Sequence, residues 1–259
     1  MTEVVDALGA VDQVVGVDEF SAVLPAIKHR GIPRIGDFLS PNLEAMLALH
    51  PDIVLMDAVQ EKFASHLKES GIKVFPIAMQ TVDDARKAVE TVGAVLGRQD
   101  KAKAILTQLD DTLAAQTQLG TRRAAELGRK PRVLFVVDRR PGGLSGMVAA
   151  GPGTYIDDLI LRAGAENVLA DASARYVQLP AEEVLRRAPD IIFDAAHDAT
   201  DRGLADWTPL AIVPAVAKGR VYLLADPVYV TPGPHLAEAL EGLAQRIWSA
   251  GPDGGSGGR

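Results

Sequence analysis

The chain has 259 residues, a mean hydropathy of +0.10 and a net charge of −7, which suits one large globular domain or two α/β lobes. No apolar run approaches the length of a membrane span, and the scattered basic residues of an acidic chain argue against nucleic-acid binding. The chain has no cysteine, which excludes disulfides, thiolate metal sites and cysteine nucleophiles.

Residues 1–80 alternate short apolar segments with helical patterns. Such alternation indicates a parallel sheet with right-handed crossovers. Pro41 stands at a first helical position and Glu44 follows it, which is a helix start signal. The predicted elements are a helix over 2–8, a strand over 13–17, an extended segment over 33–36, a helix from Ser40, a strand over 53–56, a helix over 62–70 and a strand over 73–77.

A long helical region from Thr81 to Gly128 separates the two halves of the chain. Thr81 is suited to cap its first helix, and Gly97 to end that helix. A second helix starts at Gln99 or Asp100 and runs for about 40 Å until Gly128 stops it. Its apolar stripe consists of Ala102, Ile105, Leu106, Leu109 and Leu113. We predict a rigid connector between two lobes; an ordinary pair of surface helices is the alternative.

The second half, over residues 131–250, shows the same alternation. Its predicted elements are strands over 132–137, 167–170, 191–193 and 221–224, and helices over 155–163, 180–187 and 234–248. The last helix has an apolar face made of Leu236, Leu240, Leu243 and Ile247. The Gly-rich segment 251–259 is flexible by composition and is given no fold.

Two blocks of sequence recur in the two halves, in the same order. Glu44 precedes Pro51-Asp52 and a strand by the spacing that also separates Glu182 from Pro189-Asp190. A helix that begins with threonine and ends in Gly-Ala also occurs in both halves. We therefore predict two similar, Rossmann-like α/β lobes with parallel sheets, joined by one long helix. The predicted domains are an N-terminal lobe over 1–80, a helical spine over 81–130, a C-terminal lobe over 131–250 and a tail over 251–259.

One strand of this repeat occurs in the second half alone. The strand over 132–137 precedes the second copy, whereas the first copy begins at once with its helix. The repeat therefore predicts that the first strand of the N-terminal lobe, with any export signal ahead of it, lies upstream of the given start.

Several features suggest chemistry but fit a structural role better. The segment Gly151-Pro-Gly-Thr154 precedes a helix but lacks the lysine of a phosphate-binding loop, so a tight turn is favoured. The histidines show no metal-ligand spacing, and neither a metal site nor a cofactor is predicted. The aspartates that follow strands suit helix capping better than acid–base catalysis; they are Asp18, Asp57, Asp138, Asp194 and Asp226.

Ligands of parallel α/β sheets bind beyond the carboxyl ends of the strands, and two lobes on a spine form a cleft for such a ligand. The predicted loops carry aromatic side chains as flat walls, with Arg139, Arg140 and Arg175 as hydrogen-bond donors. Lobe packing is the alternative for each aromatic residue, and a solvated loop is the alternative for His197. This mixture predicts a large, partly polar ligand. The predicted ligand-binding residues are Phe20, Phe38, Asp57, Arg139, Tyr176, His197 and Tyr229.

Several motifs resemble the substrate-binding proteins of ABC importers for vitamin B12, haem and ferric siderophores. They include SPNLEAMLALHPDIVL at 40–55, GPGT at 151–154, GAENV at 164–168 and YVQLPAEEVL at 176–185. The resemblance implies two lobes joined by one long helix, which open and close little. It also implies a periplasmic or extracytoplasmic monomer, peripheral to the membrane, that is no enzyme and delivers a small ligand to a permease dimer with its ATPase.

In that family one glutamate on each lobe docks onto arginines of the permease, and the matching positions are Glu44 and Glu182. A first-turn glutamate favoured by the helix dipole is the alternative. The segment 138–146 together with Tyr176 is most similar to the B12-type members, so a corrinoid such as cobalamin is the expected ligand. A ferric siderophore or haem is the first alternative, and a cytoplasmic α/β enzyme that uses cleft carboxylates is the second.

Overall fold

The computed structural model describes residues 1–37, 40–196 and 201–249, and the chain divides into two units, Met1–Gln108 and Leu109–Arg259. The helices are α1 (Thr2–Ala7), α2 (Pro25–Lys28), α3 (Leu43–Ala48), α4 (Glu61–Glu69), α5 (Val82–Val95), α6 (Gln99–Leu127), α7 (Tyr155–Arg162), α8 (Ala181–Arg187), α9 (Pro214–Ala217) and α10 (Leu236–Trp248). The strands are β1 (Ile53–Asp57), β2 (Lys73–Ile77), β3 (Arg132–Asp138), β4 (Val148–Ala150), β5 (Glu166–Asn167), β6 (Tyr176–Gln178), β7 (Ile191–Asp194) and β8 (Val221–Leu223). The boundary between the units falls inside α6.

In the first unit, β1 and β2 pair in parallel, from Ile53 opposite Lys73 to Asp57 opposite Ile77. Alternate residues of a strand point to opposite faces, and both faces here are covered. On one face Leu55 packs with α1, α5 and the start of α6. On the other face Val54 and Met56 pack with α3 and α4. The predicted βαβ order is therefore confirmed for this pair of strands.

Two predictions for the first unit were wrong. The strand expected over 13–17 is a 3₁₀ turn over Val11–Gln13, after which Val17 alone forms a parallel bridge with Arg34. The helix expected from Ser40 begins at Leu43 instead. Asn42 caps it, because the Asn42 side chain accepts a hydrogen bond from the Ala45 backbone N–H at 3.0 Å. The capping side chain of Asn42 outweighs the signal of Pro41, one residue earlier.

The helical region after residue 80 is two helices, as predicted. Thr81 begins α5 with a capping box: its hydroxyl accepts from the Asp84 N–H at 3.0 Å, and the Asp84 carboxylate accepts from the Thr81 N–H at 3.0 Å. Gly97, with φ of +66°, follows the end of α5 in the left-handed conformation. The next helix, α6, has 29 residues. Its first half packs in the first unit, where Ala102 is buried.

The second unit is built on a six-stranded sheet with the order β6-β4-β3-β7-β8, and β5 also pairs with β3. The strands β5, β3, β7 and β8 are parallel, as predicted. The strands β4 and β6 are antiparallel and were not predicted, because three residues are too few to show a periodic pattern. Four successive residues of β3, Val133 to Val136, are fully buried. Such a run is typical of a strand covered on both faces.

Helices α7 to α10 and the second part of α6 belong to the second unit. All four apolar residues predicted for the last helix are buried in α10. Gly120 of α6 lies against α7, since a Cβ at this position would stand 2.5 Å from the carbonyl carbon of Ala163. Gly120 therefore allows a close approach of two backbones that any larger residue would prevent.

The predicted repeat is visible in the backbone. Among the described residues, the non-glycine residues with positive φ are His50, at 48°, and Ala188, at 44°. Each stands directly before the Pro-Asp that leads into a strand, β1 in the first unit and β7 in the second. The matching position of two rare conformations supports a common local structure for the two blocks.

Candidate functional site

A buried ion network lies at the carboxyl ends of β3 and β7. Asp194, the last residue of β7, is 0% exposed and accepts from Arg139 Nε at 2.8 Å and from Trp207 Nε1 at 2.9 Å. Arg139 Nη1 donates to Asp206 Oδ2 at 2.7 Å and to the Gly143 carbonyl at 2.8 Å. Burial lowers the pKa of Arg139, but the hydrogen bonds and charges of Asp194 and Asp206 outweigh it and the net pKa is raised.

Arg139 therefore has a structural contact for each guanidinium nitrogen, since Nη2 also donates to the Gly203 carbonyl at 3.5 Å. Arg139 was predicted to donate hydrogen bonds to a ligand, and the structure instead places its guanidinium nitrogens in contacts within the protein. The neighbouring Arg140 is exposed and is the better candidate donor at this end of β3. The sequence near Arg139 and Arg140 does not show which of the two is buried, because the partners of Arg139 lie 55 and 67 residues away along the chain.

Tyr229 was expected to form a flat wall of a site, but only 8% of it is exposed. Its hydroxyl accepts from Arg246 Nη1 at 2.9 Å, and the Arg246 guanidinium lies 5.5 Å from the centre of the ring. The ring passes over Gly242 of α10, where a Cβ would collide with the Tyr229 hydroxyl. These contacts match the lobe-packing alternative.

Phe20 follows the Val17 bridge and is 72% exposed. Its loop is held by Asp18, whose carboxylate accepts from the Ser21 backbone N–H at 2.9 Å and from the Ser21 hydroxyl at 2.6 Å. Thr2 of α1 donates to the same hydroxyl oxygen at 2.8 Å. Asp18 therefore organises a turn, and the turn presents the Phe20 ring to solvent.

Asp57 is the last residue of β1 and is half-buried. It has interactions of its own within the protein. Phe38 and His197, two further predicted site residues, lie outside the described residues. The binding roles of all these residues stay predictions.

Tyr176 begins the edge strand β6 and is 43% exposed. Tyr176 was expected in a loop at the carboxyl end of a parallel strand. It instead stands opposite Ala150 of β4 in an antiparallel pair. Burial raises the pKa of its phenol, and the positive charge of Arg175 opposes this shift. Arg175 itself is exposed. The second unit thus presents an aromatic ring beside a cation at its sheet edge.

The segment Gly151-Pro-Gly-Thr154 beside Arg175 is a tight turn, as favoured from the sequence. The Gly151 N–H donates to the Arg175 carbonyl at 2.7 Å, and a Cβ on Gly151 would stand 2.5 Å from the Ala174 carbonyl oxygen. Thr154 caps α7 by accepting from the Asp157 N–H at 3.1 Å. The helix N-terminus is thereby satisfied by the protein's own side chain.

The two glutamates expected to dock on a permease stand in the first turns of α3 and α8. Glu44 and Glu182 are both exposed, and neither has a hydrogen-bond or ion-pair partner within the described parts of the chain. Glu183 differs, because it accepts from Arg186 Nε at 2.7 Å and from Arg187 Nε at 2.6 Å. These two arginines lower the pKa of Glu183 to about 2. Of these two adjacent glutamates, Glu183 is bound within the protein, whereas the Glu182 carboxylate is exposed to solvent.

No helix within residues 1–37, 40–196 and 201–249 combines the length and the apolarity needed to cross a bilayer. Over the same ranges, no three His, Asp or Glu side chains are arranged to hold a metal ion.

Residues 1–228 match the periplasmic binding protein family. A cobalamin-binding protein of Halobacterium salinarum is 29% identical over 92% of this chain and 64% of its own length. The haem uptake protein IsdE of Staphylococcus aureus is 26% identical over 67% of this chain and 57% of its own length. A periplasmic haem-binding protein of Pseudomonas aeruginosa superposes with a TM-score of 0.80 at 25% identity, covering 95% of this chain and 89% of the other.

The chain belongs to the periplasmic binding protein family, and the resemblance inferred from its motifs is confirmed. Relatives that match the chain are named for binding cobalamin or haem. The two-lobed α/β fold predicted for it is shared by the solved structures of this family. The chain spans less than two thirds of the length of the curated relatives that it matches.

Proposed function

We propose that this protein captures a corrinoid outside the cytoplasm and delivers it to the permease of an ABC importer. The observation that carries the proposal is its similarity to a cobalamin-binding protein, at 29% identity over 92% of the chain. The exposed aromatic rings support it, since Phe20 and Tyr176 each offer a flat apolar face of the kind that packs on a macrocycle. Arg140 and Arg175, both exposed, offer donors for the amide side chains of a corrinoid.

Haem is the second candidate ligand, because relatives named for haem also match the chain. A haem site needs an axial ligand to iron, and a phenolate is one of the groups that serve. Tyr176 is the exposed tyrosine among the described residues. Tyr176 is therefore the candidate ligand to haem iron on this chain, whereas a corrinoid needs no phenolate from the protein.

Delivery to the permease uses Glu44 and Glu182. One exposed, unpaired carboxylate on each unit gives two points of charge that match two arginine-bearing surfaces of a symmetric permease. The internal pairing of Glu183 leaves Glu182 as the free acidic group in the first turn of α8.

Calorimetric titration with cyanocobalamin, haemin and a ferric hydroxamate tests the ligand. We expect cyanocobalamin to bind at least about tenfold more tightly than the other two, a margin of about 1.4 kcal/mol. Tighter binding of haemin, with an absorbance shift that Tyr176→Phe abolishes, would replace the corrinoid by haem. Binding of none of the three would overturn the proposal.

The aromatic contacts are tested by Phe20→Ala and Tyr176→Ala. Each should weaken the binding of cyanocobalamin about tenfold, because each removes a stacking face worth about 0.5–1.5 kcal/mol beyond its buried area. Ile212→Ala is the matched control, since Ile212 is an exposed apolar residue at 84% exposure with no proposed role. Equal affinities for the three variants would show that the rings do not contact the ligand.

A further inference from the structure

The arginine beside Tyr176 combines a fixed backbone with an unpaired head group. The Arg175 carbonyl accepts from the Gly151 N–H at 2.7 Å, and the next residue, Tyr176, pairs with Ala150 of β4. The Arg175 side chain passes over Gly153, where a Cβ would stand 3.6 Å from Arg175 Nε. Arg175 is exposed, and its guanidinium has no hydrogen bond or ion pair within the described parts of the chain. The protein therefore fixes the backbone of this residue without neutralising its charge.

The acidic residues that begin α7 or closely precede Arg175 have other partners. Two of them lie in the first turn of α7, and the third lies four residues before Arg175 in the chain. The pairs are Asp157 with Asn167 at 2.9 Å, Asp158 with Arg162 at 3.1 Å and Asp171 with Arg187 at 2.6 Å. Because each of these three carboxylates is engaged elsewhere, none of them competes with an anion that approaches Arg175 from solvent.

Arg140, the other exposed arginine with a proposed binding role, has a different setting. Asp138 stands two residues before it and is exposed, and its carboxylate accepts from the Arg139 backbone N–H at 2.8 Å. The negative charge of Asp138 opposes an anionic ligand group at this end of β3 but not a neutral one. A guanidinium donates to amides and anions alike, so these surroundings suit Arg140 to an amide and Arg175 to an anion.

Tyr176 adds an aromatic ring beside the Arg175 cation. It is 43% exposed, and the positive charge of Arg175 lowers the pKa of its phenol against the larger effect of burial. A guanidinium binds phosphate through two parallel, charge-assisted hydrogen bonds, and an aromatic ring packs on a flat apolar group. A complete corrinoid offers both groups, because its nucleotide loop carries a phosphodiester between the macrocycle and an aromatic base. A cobinamide lacks that loop, and its amide side chains are neutral.

We propose that Arg175 binds the phosphodiester of the corrinoid nucleotide loop and so makes the protein selective for complete corrinoids over cobinamides. This inference rests on the proposed function, because it takes a corrinoid as the ligand. The phosphodiester gains charge-assisted hydrogen bonds from a cation that has no partner in the described parts of the protein, and no internal ion pair has to break. A cobinamide gains no such bonds.

Calorimetric titration with cyanocobalamin and dicyanocobinamide tests this selectivity. The wild-type protein should bind cyanocobalamin at least about tenfold more tightly than dicyanocobinamide. Arg175→Gln should weaken the binding of cyanocobalamin about tenfold and leave that of dicyanocobinamide within about twofold, because cyanocobalamin alone loses a charge-assisted contact. Thermal unfolding should not distinguish Arg175→Gln from the wild type, since the replaced side chain is exposed.

Arg122→Gln is the matched control. Arg122 is also exposed, has no partner among the described residues and has no proposed role, so its replacement should change neither affinity. Equal weakening of both corrinoids by Arg175→Gln, or weakening of neither, would overturn the assignment of Arg175 to the phosphodiester and leave the proposed function intact. A preference for cyanocobalamin that persists in Arg175→Gln would place the selectivity in the aromatic base of the loop and would also overturn it. Failure of the wild type to bind either corrinoid would overturn the proposed function, and this inference with it.

Discussion

At the scale of single residues, the adjacent arginines Arg139 and Arg140 differ in burial and in role. Arg139 lies in the interior between Asp194 and Asp206, while Arg140 faces solvent. A buried arginine is tolerated because its charge and its donors are all matched, and removal of one partner leaves the other charge buried without compensation. The stability of this end of the sheet therefore depends on residues far apart in the chain.

Replacement of Arg139 by Met should lower the free energy of unfolding by about 3–5 kcal/mol, because Asp194 and Asp206 lose their common partner. Urea unfolding followed by tryptophan fluorescence measures the change, and both tryptophans lie in the second unit. Arg140→Met is the matched control and should change the free energy by less than about 0.5 kcal/mol. Similar losses for the two variants would contradict the assignment of Arg139 to the buried network.

At the scale of the elements, two positions show where local preference and packing oppose each other. Ala188 ends α8 in the left-handed conformation, with φ of 44° and ψ of 63°. Gly120 interrupts α6 although glycine is a poor helix former. In each case contacts with distant parts of the chain favour a residue or a backbone conformation that the local sequence does not.

Ala188→Gly should stabilise the protein by about 0.5–1 kcal/mol. Relief of a left-handed alanine is worth about 1–2 kcal/mol, and the greater freedom of glycine in the unfolded chain removes about 0.4–1 kcal/mol of this gain. Thermal unfolding measures the effect. Ala114→Gly, at an exposed position in the interior of α6, is the control and should destabilise by about 0.5–1 kcal/mol. A loss at position 188 would show that its conformation carries no strain.

Gly120→Ala should destabilise the protein by about 1–3 kcal/mol, because the new methyl group collides with the backbone of Ala163 and Gly164, directly after α7. An isolated peptide of residues 99–127 should instead gain helicity from the same change, by about 1 kcal/mol of propensity. Urea unfolding of the protein and circular dichroism of the peptide give the two measurements. A stabilised protein would mean that the α6–α7 contact yields without strain.

At the scale of the whole molecule, each unit carries an exposed glutamate at the same place in its block of the repeat. Glu44 and Glu182 occupy equivalent places in the two blocks of the repeat, each in the first turn of a helix that leads through Pro-Asp to a parallel strand. A partner with two equivalent surfaces is recognised by two equivalent charges.

The double variant Glu44→Arg with Glu182→Arg should lower the ligand-stimulated ATPase of the reconstituted importer by at least about tenfold, because like charges then oppose each other in the contact. Its affinity for cyanocobalamin should stay within about twofold. Glu90→Arg with Glu126→Arg makes the same change in charge at one exposed position in each unit and should retain the ATPase stimulation. Equal stimulation by the two double variants would rule out docking through Glu44 and Glu182.

The sequence by itself determined those elements whose signals are local. β1, β2 and β3 are runs of apolar, β-branched residues, and α5 and α10 have helical periodicity and recognisable ends, so each was predicted nearly at its observed bounds. The repeat of glutamate and Pro-Asp was also legible, and it located Glu44 and Glu182. These signals are carried by residues that are close along the chain.

Only the tertiary structure decided which polar and aromatic residues are buried. Nothing within a few positions of Arg139 or Tyr229 shows that Asp194 and Arg246 are their partners. The antiparallel edge β4–β6 likewise depends on pairing between segments that are each three residues long. Burial and strand pairing are settled by contacts between distant parts of the chain, whereas the sequence patterns report on neighbours one or two turns away.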